Sequence, residues 1–291
     1  MKQRKWFFFD PRLPVVLALL LALAGCQGSS SGTQDQVATL NAETAQKLQQ
    51  LLDQKVAQHK IPGAVMAVGL PGTQTWVGVS GVSNLSDNKP ITAQDKFRIG
   101  SNTKTFTAMA ILQLAQEGAL GLDDSLAKWL PGIMPNYAGA SNSITIRQML
   151  QHTSGIFSFT EDGNWGNNFL TNPLYRYAPS DLIAIANSHP AYFAPGAGFK
   201  YSNTNYVLLA LIIEKATGRP FEEEIRRRFI LPLGLANTQV PFMGDSLMSG
   251  SFSHGYNEYQ GQLFDYTVLD PSSTWSSGNM LSTAEDLTKW V

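Results

Sequence analysis

Cysteine is almost missing from this chain of 291 residues; the one present is Cys26. Without a second thiol no internal disulfide can form, so the fold must stand on its core alone. Charge is sparse as well, at 15% of residues, and neither sign dominates, with 21 basic against 22 acidic groups. The basic excess of a nucleic-acid-binding domain is absent, so no nucleic-acid partner is expected. His59, His152 and His189 are too widely spaced to suggest a zinc site, and nothing indicates a metal or other cofactor. The apolar stretch from Val15 to Ala24 is too short to span a bilayer stably as a helix. What is present is a hydrophobic fraction of 43%, enough for one large domain or a domain with an inserted subdomain.

Lys2, Arg4, Lys5 and Arg12 form a basic leader around the start of that stretch, which ends in Leu23-Ala24-Gly25-Cys26. This resembles the bacterial lipobox, in which the cysteine is lipidated and becomes the mature N-terminus. Residues 1–25 are therefore expected to be a lipoprotein signal peptide, 26–40 a flexible tether, and 41–291 the folded domain. The expected location is a bacterial membrane, held by the lipid on Cys26, with a monomeric domain facing the periplasm or the cell exterior. Gly28 to Gly32 has the form Gly-x-Ser-x-Gly. Neither a strand before it nor a helix after it supports a nucleophile elbow, so it is read as tether.

Along the domain, Leu48, Leu51, Leu52 and Val56 recur at helical spacing until Ile61-Pro62-Gly63 ends the helix. Ala64 to Leu70 and Thr75 to Ser80 read as an antiparallel hairpin through Pro71-Gly72, and Lys96 to Ile99 as a third short strand. Phe106, Met109, Ala110 and Leu114 mark one face of a helix stopping at Gly118. Thr145 and Gln148 have capping-box spacing, as do Ser282 and Glu285. Residues 205–217 are apolar nearly all round, which predicts a buried helix. In Glu222-Glu223-Glu224-Ile225-Arg226-Arg227-Arg228, acids meet bases at i,i+4, which predicts a solvated, self-paired helix face. Strands first, helices after and no β–α alternation argue for α+β.

Chemistry enters with Ser101-Asn102-Thr103-Lys104, where a strand turns into a helix. Three residues along a helix, the lysine amine can reach back to the serine hydroxyl. Lysine is a poor base at neutral pH, but desolvation beside an apolar face lowers its pKa toward the useful range. The spacing alone is weak: Ser86 to Lys89 and Ser125 to Lys128 repeat it, the first in a turn ahead of Pro90 and the second on a surface helix. Only Ser101 has the strand-to-helix setting. Tyr201-Ser202-Asn203, the chain's one Tyr-x-Asn, follows a Pro-Gly loop and precedes the buried helix. A phenol of lowered pKa there could shuttle a proton, and the asparagine amide could hold a substrate carbonyl and the lysine together.

Phe97 to Lys104, Leu150-Gln151-His152-Thr153-Ser154-Gly155 and Pro195 to Tyr206 together resemble the penicillin-recognising serine hydrolases. The branch is the one holding class C β-lactamases and D-alanyl-D-alanine carboxypeptidases, and the likeness runs from about Val56 to Trp290. The resemblance implies an antiparallel sheet flanked by helices plus a mostly helical subdomain. It implies Ser101 as acylated nucleophile, Lys104 as its base, Tyr201 as proton carrier, Asn203 orienting the substrate amide and Trp275 walling the cleft. It also implies that Ser101 N–H forms half of an oxyanion hole. The other half belongs to a third motif, Lys or His followed by Thr-Gly, expected beyond residue 291; the final strands and helix would lie there too. His254-Gly255-Tyr256 is not that motif, and His152 is read as a loop organiser.

The function so implied is acyl-enzyme hydrolysis of peptidoglycan stem peptides by a DD-carboxypeptidase-like enzyme, its partner a peptide or β-lactam substrate. A class C β-lactamase or a small-ester hydrolase on the same scaffold is the alternative. A non-hydrolytic penicillin-binding sensor is a remoter one, opposed by the intact Ser, Lys, Tyr and Asn set.

Overall fold

The structure, a computed structural model, describes residues 38–259 and 261–291. The expected signal peptide (1–25), Cys26 and most of the expected tether lie outside the described residues. Helix α1 (Ala42–His59) opens on Asn41, whose side chain accepts from Thr44 N–H, and closes on Lys60 in the left-handed region. It packs on the sheet β1 (Gly63–Val68), β2 (Trp76–Asn84) and β3 (Lys89–Pro90), in that order and antiparallel. The hairpin expected around Pro71-Gly72 is thus present. The third expected strand is not its neighbour. Instead β4 (Phe97–Arg98) leaves the hairpin and pairs with a strand from the far end of the chain.

Most of the remaining elements are helices: α2 (Thr103–Gln116), α3 (Leu126–Trp129), α4 (Ala138–Ser141), α5 (Ile146–Leu150), α6 (Gly163–Thr171), α7 (Pro179–Asn187), α8 (Asn203–Thr217) and α9 (Phe221–Ile225). The hairpin β5 (Tyr256–Tyr259) with β6 (Gln262–Asp265), then β7 (Leu281–Ser282) and α10 (Ala284–Trp290), complete the order. The fold is therefore mixed α+β, with small antiparallel sheets and many helices.

The core forms where α2 and α8 meet. Phe106, Ile111 and Leu114 of α2 face Val207 to Ala210 and Ile212 to Ile213 of α8, all buried. A helix apolar on every side can only be satisfied by neighbours all round, and α5, α7 and α9 supply them. Thr145 caps α5 by a full box with Gln148. The second expected box is shifted: Thr283, one residue later than Ser282, caps α10 by accepting from Asp286 N–H. Trp290 then lies flat on Phe106, 3.9 Å between centroids, and donates from Nε1 to Thr105 Oγ1 at 2.8 Å, fastening α10 to α2.

The Glu222–Arg228 stretch departs from its expectation. Glu222 and Glu224 are buried, and Glu224 binds both Arg227 and Arg228. Arg228 reaches on to Glu117 at the end of α2. The backbone widens from α to π winding over Arg226–Ile230; Glu222, Glu224 and the Arg228 side chain lie inward, while Glu223, Arg226 and Arg227 stay exposed.

Candidate active site

Antiparallel pairing of β4 with β7 sets Phe97 opposite Ser282 and Arg98 opposite Leu281. Ile99 N–H continues the ladder to Met280 O at 3.0 Å. Gly100 then turns the chain at φ +50°, a left-handed conformation that glycine adopts without steric cost. A 3-10 turn, Gly100–Asn102, carries Ser101, and α2 begins at Thr103. Two threonines fasten this helix to the 275–280 segment. Met280 N–H donates to Thr103 Oγ1 at 3.1 Å, and Thr107 Oγ1 donates to Ser276 O at 2.9 Å. Ser276 Oγ in turn donates to Tyr206 O at 3.0 Å, joining α8 to the same wall. Arg98, not singled out from sequence, donates from Nη2 to the carbonyls of Ser246, Thr267 and Leu269.

Lys104 Nζ has three polar neighbours: Ser101 Oγ at 3.1 Å, Asn203 Oδ1 at 2.7 Å and Ser277 O at 2.6 Å. The lysine is 6% exposed, and burial lowers its pKa to about 7. Desolvation opposes the charged form, and no carboxylate is hydrogen-bonded to the amine to restore it. A neutral amine has two N–H groups and one lone pair. Two of the three neighbours, an amide oxygen and a backbone carbonyl, can only accept. They take both N–H groups, and the lone pair is left facing the Ser101 hydroxyl.

Tyr201 completes the contact set by donating its hydroxyl to Ser101 Oγ at 2.8 Å. Its pKa is raised, by burial, against a smaller opposing effect of the Ser101 hydrogen bond. The lowered phenol pKa expected from sequence is therefore corrected. In a site without an adjacent cation on its oxygen, desolvation wins and Tyr201 is a neutral proton donor. Ser101 is exposed and Tyr201 is 40% exposed, so the hydroxyls open to solvent while the amine does not.

Asn203 is the first residue of α8. Its Oδ1 meets Lys104, its Nδ2 donates to Thr160 Oγ1 at 2.8 Å, and its backbone N–H donates to Ser158 Oγ at 3.0 Å. One hydrogen of Nδ2 is left over for a substrate carbonyl. His152 sits below, with a left-handed backbone, and its Nδ1 accepts from Ser202 N–H at 3.1 Å. Burial first, and the Lys104 charge second, pull its pKa to about 4, so it is neutral here. Gly155, three residues on, is required by contact: a Cβ there would lie 2.0 Å from Phe193 O.

Trp275 is a correction. Its side chain does not wall the cleft. The ring is 7% exposed, packs edge-on against Phe221 and donates from Nε1 to Glu222 at 2.8 Å. A buried carboxylate on α9 supplies the acceptor that a buried indole N–H needs, and it draws the ring into the core. What the 275–277 turn gives the site is its backbone, through Ser277 O. Neither that carbonyl nor Thr160 and Ser158 carries a residue-type signal by which sequence could find it. Among the described residues no group of three potential metal-ligating side chains occurs. A cavity of about 1000 Å³ lies elsewhere, against Arg226, Leu231, Phe242 and Leu247, and none of the residues around Ser101 lines it.

The whole of this geometry falls within residues 48–291, which match the family model described as Beta-lactamase. Protein flp of Staphylococcus aureus is 32% identical over 257 residues, 87% of this chain and 49% of its own length. The chain thus spans about half of that relative. Among solved structures, a D-stereospecific amidohydrolase from Streptomyces sp. superposes with a TM-score of 0.76 at 39% identity, covering 86% of this chain and 72% of its own. A penicillin-binding protein homologue from Pyrococcus abyssi gives 0.70 at 29% identity, with 84% and 55% covered.

Proposed function

This chain belongs to the Beta-lactamase family, a family of serine hydrolases, and on that premise we propose that it hydrolyses amide bonds through an acyl-enzyme on Ser101. The substrate class we favour is a peptidoglycan stem peptide ending in D-Ala-D-Ala, cleaved as by a DD-carboxypeptidase. The observation that carries the proposal is the set of contacts around Lys104, which leaves its lone pair for the Ser101 proton. Lys104 takes the hydroxyl proton as Oγ bonds to the substrate carbonyl carbon. The neutral phenol of Tyr201 then gives its proton to the departing amine, and the proton held on Lys104 replaces it. Water enters with the same groups in reverse, the Oγ–acyl bond breaks, and Ser101 is regenerated.

A second reading, hydrolysis of D-amino acid amides, is favoured by the likeness to a D-amino acid amidase from Ochrobactrum anthropi, 27% identical with a TM-score of 0.74. Both substrates present a D-configured residue at the scissile amide, and a shared scaffold does not choose between them. Incubation with a fluorescent penicillin, a D-Ala-D-Ala peptide and a D-amino acid amide separates them. The proposal expects a covalent adduct and D-alanine release, both lost in Ser101→Ala. Turnover of the amide with no release of D-alanine would move the assignment to the second reading. No Ser101-dependent adduct with an ester still cleaved would make it an esterase. Attachment of an exported chain to a membrane through lipid on Cys26 belongs to the same proposal; palmitate labelling lost in Cys26→Ser tests it.

A further inference from the structure

A buried ammonium is unfavourable unless acceptors take its three N–H groups. Lys104 is 6% exposed and has three polar neighbours. Lys96 is also 6% exposed, yet among the described residues nothing is hydrogen-bonded to its Nζ and no carboxylate pairs with it. The adjacent acid does not serve it, because Asp95 accepts from Thr92 N–H at 2.7 Å and from Ser251 Oγ. Burial acts on the amine unopposed and lowers its pKa.

The backbone sets this amine beside a second, smaller cavity. Lys96 N–H donates to Ser251 O at 3.1 Å and Ser253 N–H donates to Lys96 O at 2.9 Å, a parallel bridge between Lys96 and Phe252. Bridged residues share a face, as do residues two apart in extended chain. Lys96 is thus on the face of Phe252 and His254, whose rings stack with centroids 5.6 Å apart. Gly250 makes room for the amine, since a Cβ there would come within 3.3 Å of Nζ. The cavity, of about 220 Å³, is walled by Gly250, Phe252 and His254 and, across from them, by Asn84, Asp87 and Lys89 of the β2–β3 turn. His254 N–H donates to Ser83 O at 2.8 Å and joins the two walls.

We propose that this cavity binds a small carboxylate, whose charge is met by the Lys96 ammonium at the Gly250 wall. The space is several times the roughly 30 Å³ share of one water, so it admits an anion of a few atoms and no polymer. An anion is preferred to a neutral ligand because the unmatched charge is the buried one. Asp87 and Lys89 are exposed, where water and salt screen them. Asp265 does not compete for the amine, since it is held by His254 Nδ1 at 2.7 Å. One ammonium balances one negative charge, and Asp87 on the wall opposes a second, which favours a carboxylate over a phosphate dianion. Nothing in this site depends on the chemistry at Ser101.

The test is urea unfolding of the full chain at constant ionic strength and pH 7, with sodium acetate replacing sodium chloride. Acetate held only by the folded chain divides the unfolding constant by 1 + [acetate]/Kd, about elevenfold at ten times Kd. Lys96→Met keeps most of the apolar stem and deletes the charge, and its unfolding constant should not respond to acetate. Equal responses in parent and variant would be a general effect of the salt and would overturn the proposal. No response in the parent overturns it too, and leaves Lys96 as a lysine solvated at its tip. Inorganic phosphate acting at lower concentration than acetate, and only where Lys96 is present, overturns the choice of a carboxylate. If Lys96→Met does not fold, Lys96→Gln carries the same comparison.

Discussion

The imidazole of His152 lies against the ring of Tyr201, with centroids 4.4 Å apart and planes tilted by 32°. The same imidazole holds the next residue by accepting from Ser202 N–H, which places its own proton on Nε2. One side chain therefore supports the phenol from below and fixes the backbone that follows it. Its left-handed backbone, φ 58°, is a conformation that asparagine tolerates better than most residues.

These contacts separate two substitutions. His152→Asn keeps an acceptor close to the position of Nδ1 and suits the backbone, but it removes the ring. Its melting temperature should stay near that of the unsubstituted protein while kcat falls about tenfold, as Tyr201 loses its support. His152→Leu leaves Ser202 N–H buried and unpaired, and should cost roughly 1–3 kcal/mol of stability in denaturant titration. Equal kcat in the asparagine variant and the parent would show that the ring has no role in placing Tyr201.

Acid should destabilise the fold through the same residue. The folded-state pKa of His152, about 4, lies below its ordinary 6.5. Between those values the unfolded chain binds a proton that the native chain does not, so stability rises with pH there. The contribution is fully present above 6.5 and is lost as pH falls through 4. Its size is on the order of 2–3 kcal/mol. Urea midpoints measured from pH 7 to pH 4 should fall more steeply for the parent than for His152→Asn.

Activity should follow the Lys104 amine. Its folded pKa is lowered from 10.5 to about 7, and the neutral form is the base, so acylation should rise with pH through about 7 and then level off. Replacing Ser276 and Thr107 is not expected to move this midpoint, since neither touches the amine. Lys104→Arg stays protonated at every accessible pH and should lose at least about 10³-fold in acylation rate. A rising limb centred near 10 would mean that burial does not set the lysine.

Trp275→Phe should act on stability and not on substrate. The edge-on contact with Phe221 is largely kept, but Glu222 loses the indole N–H that it accepts from. An unpaired buried carboxylate predicts a loss of roughly 1–3 kcal/mol with KM unchanged. A raised KM with unaltered melting would restore Trp275 to the cleft wall.

Which parts of this molecule were legible beforehand follows from the range of the forces involved. The helix Asn203–Thr217 was readable because seven consecutive apolar residues, Val207 to Ile213, point in every direction around it, the condition for burial. The hairpin at Pro71-Gly72 and the Thr145 box were readable because turn and cap chemistry is decided within four residues. The winding of Arg226–Ile230 was not, because its wider turn goes with Arg228 reaching Glu117, far along the chain on α2. Tyr201 lies against Ser101, but its pKa is raised where a lowered one was expected. Position follows from the motif, but the direction of a pKa shift depends on what surrounds the group.

The sequence by itself determined which side chains could do chemistry: a hydroxyl and an amine three apart after a strand, and a phenol and an amide two apart before a buried helix. Side-chain type and local spacing are enough for that. The tertiary structure alone decided how protons are distributed among them. It is β4 pairing with β7 that brings Ser277 O to Lys104, and the turn at Phe159–Glu161 that brings Thr160 to the Asn203 amide. A backbone carbonyl has no letter in the sequence, and an amide has the same letter in both orientations. Only the contacts of the folded chain can tell an acceptor from a donor there, and on that difference the lone pair of Lys104 depends.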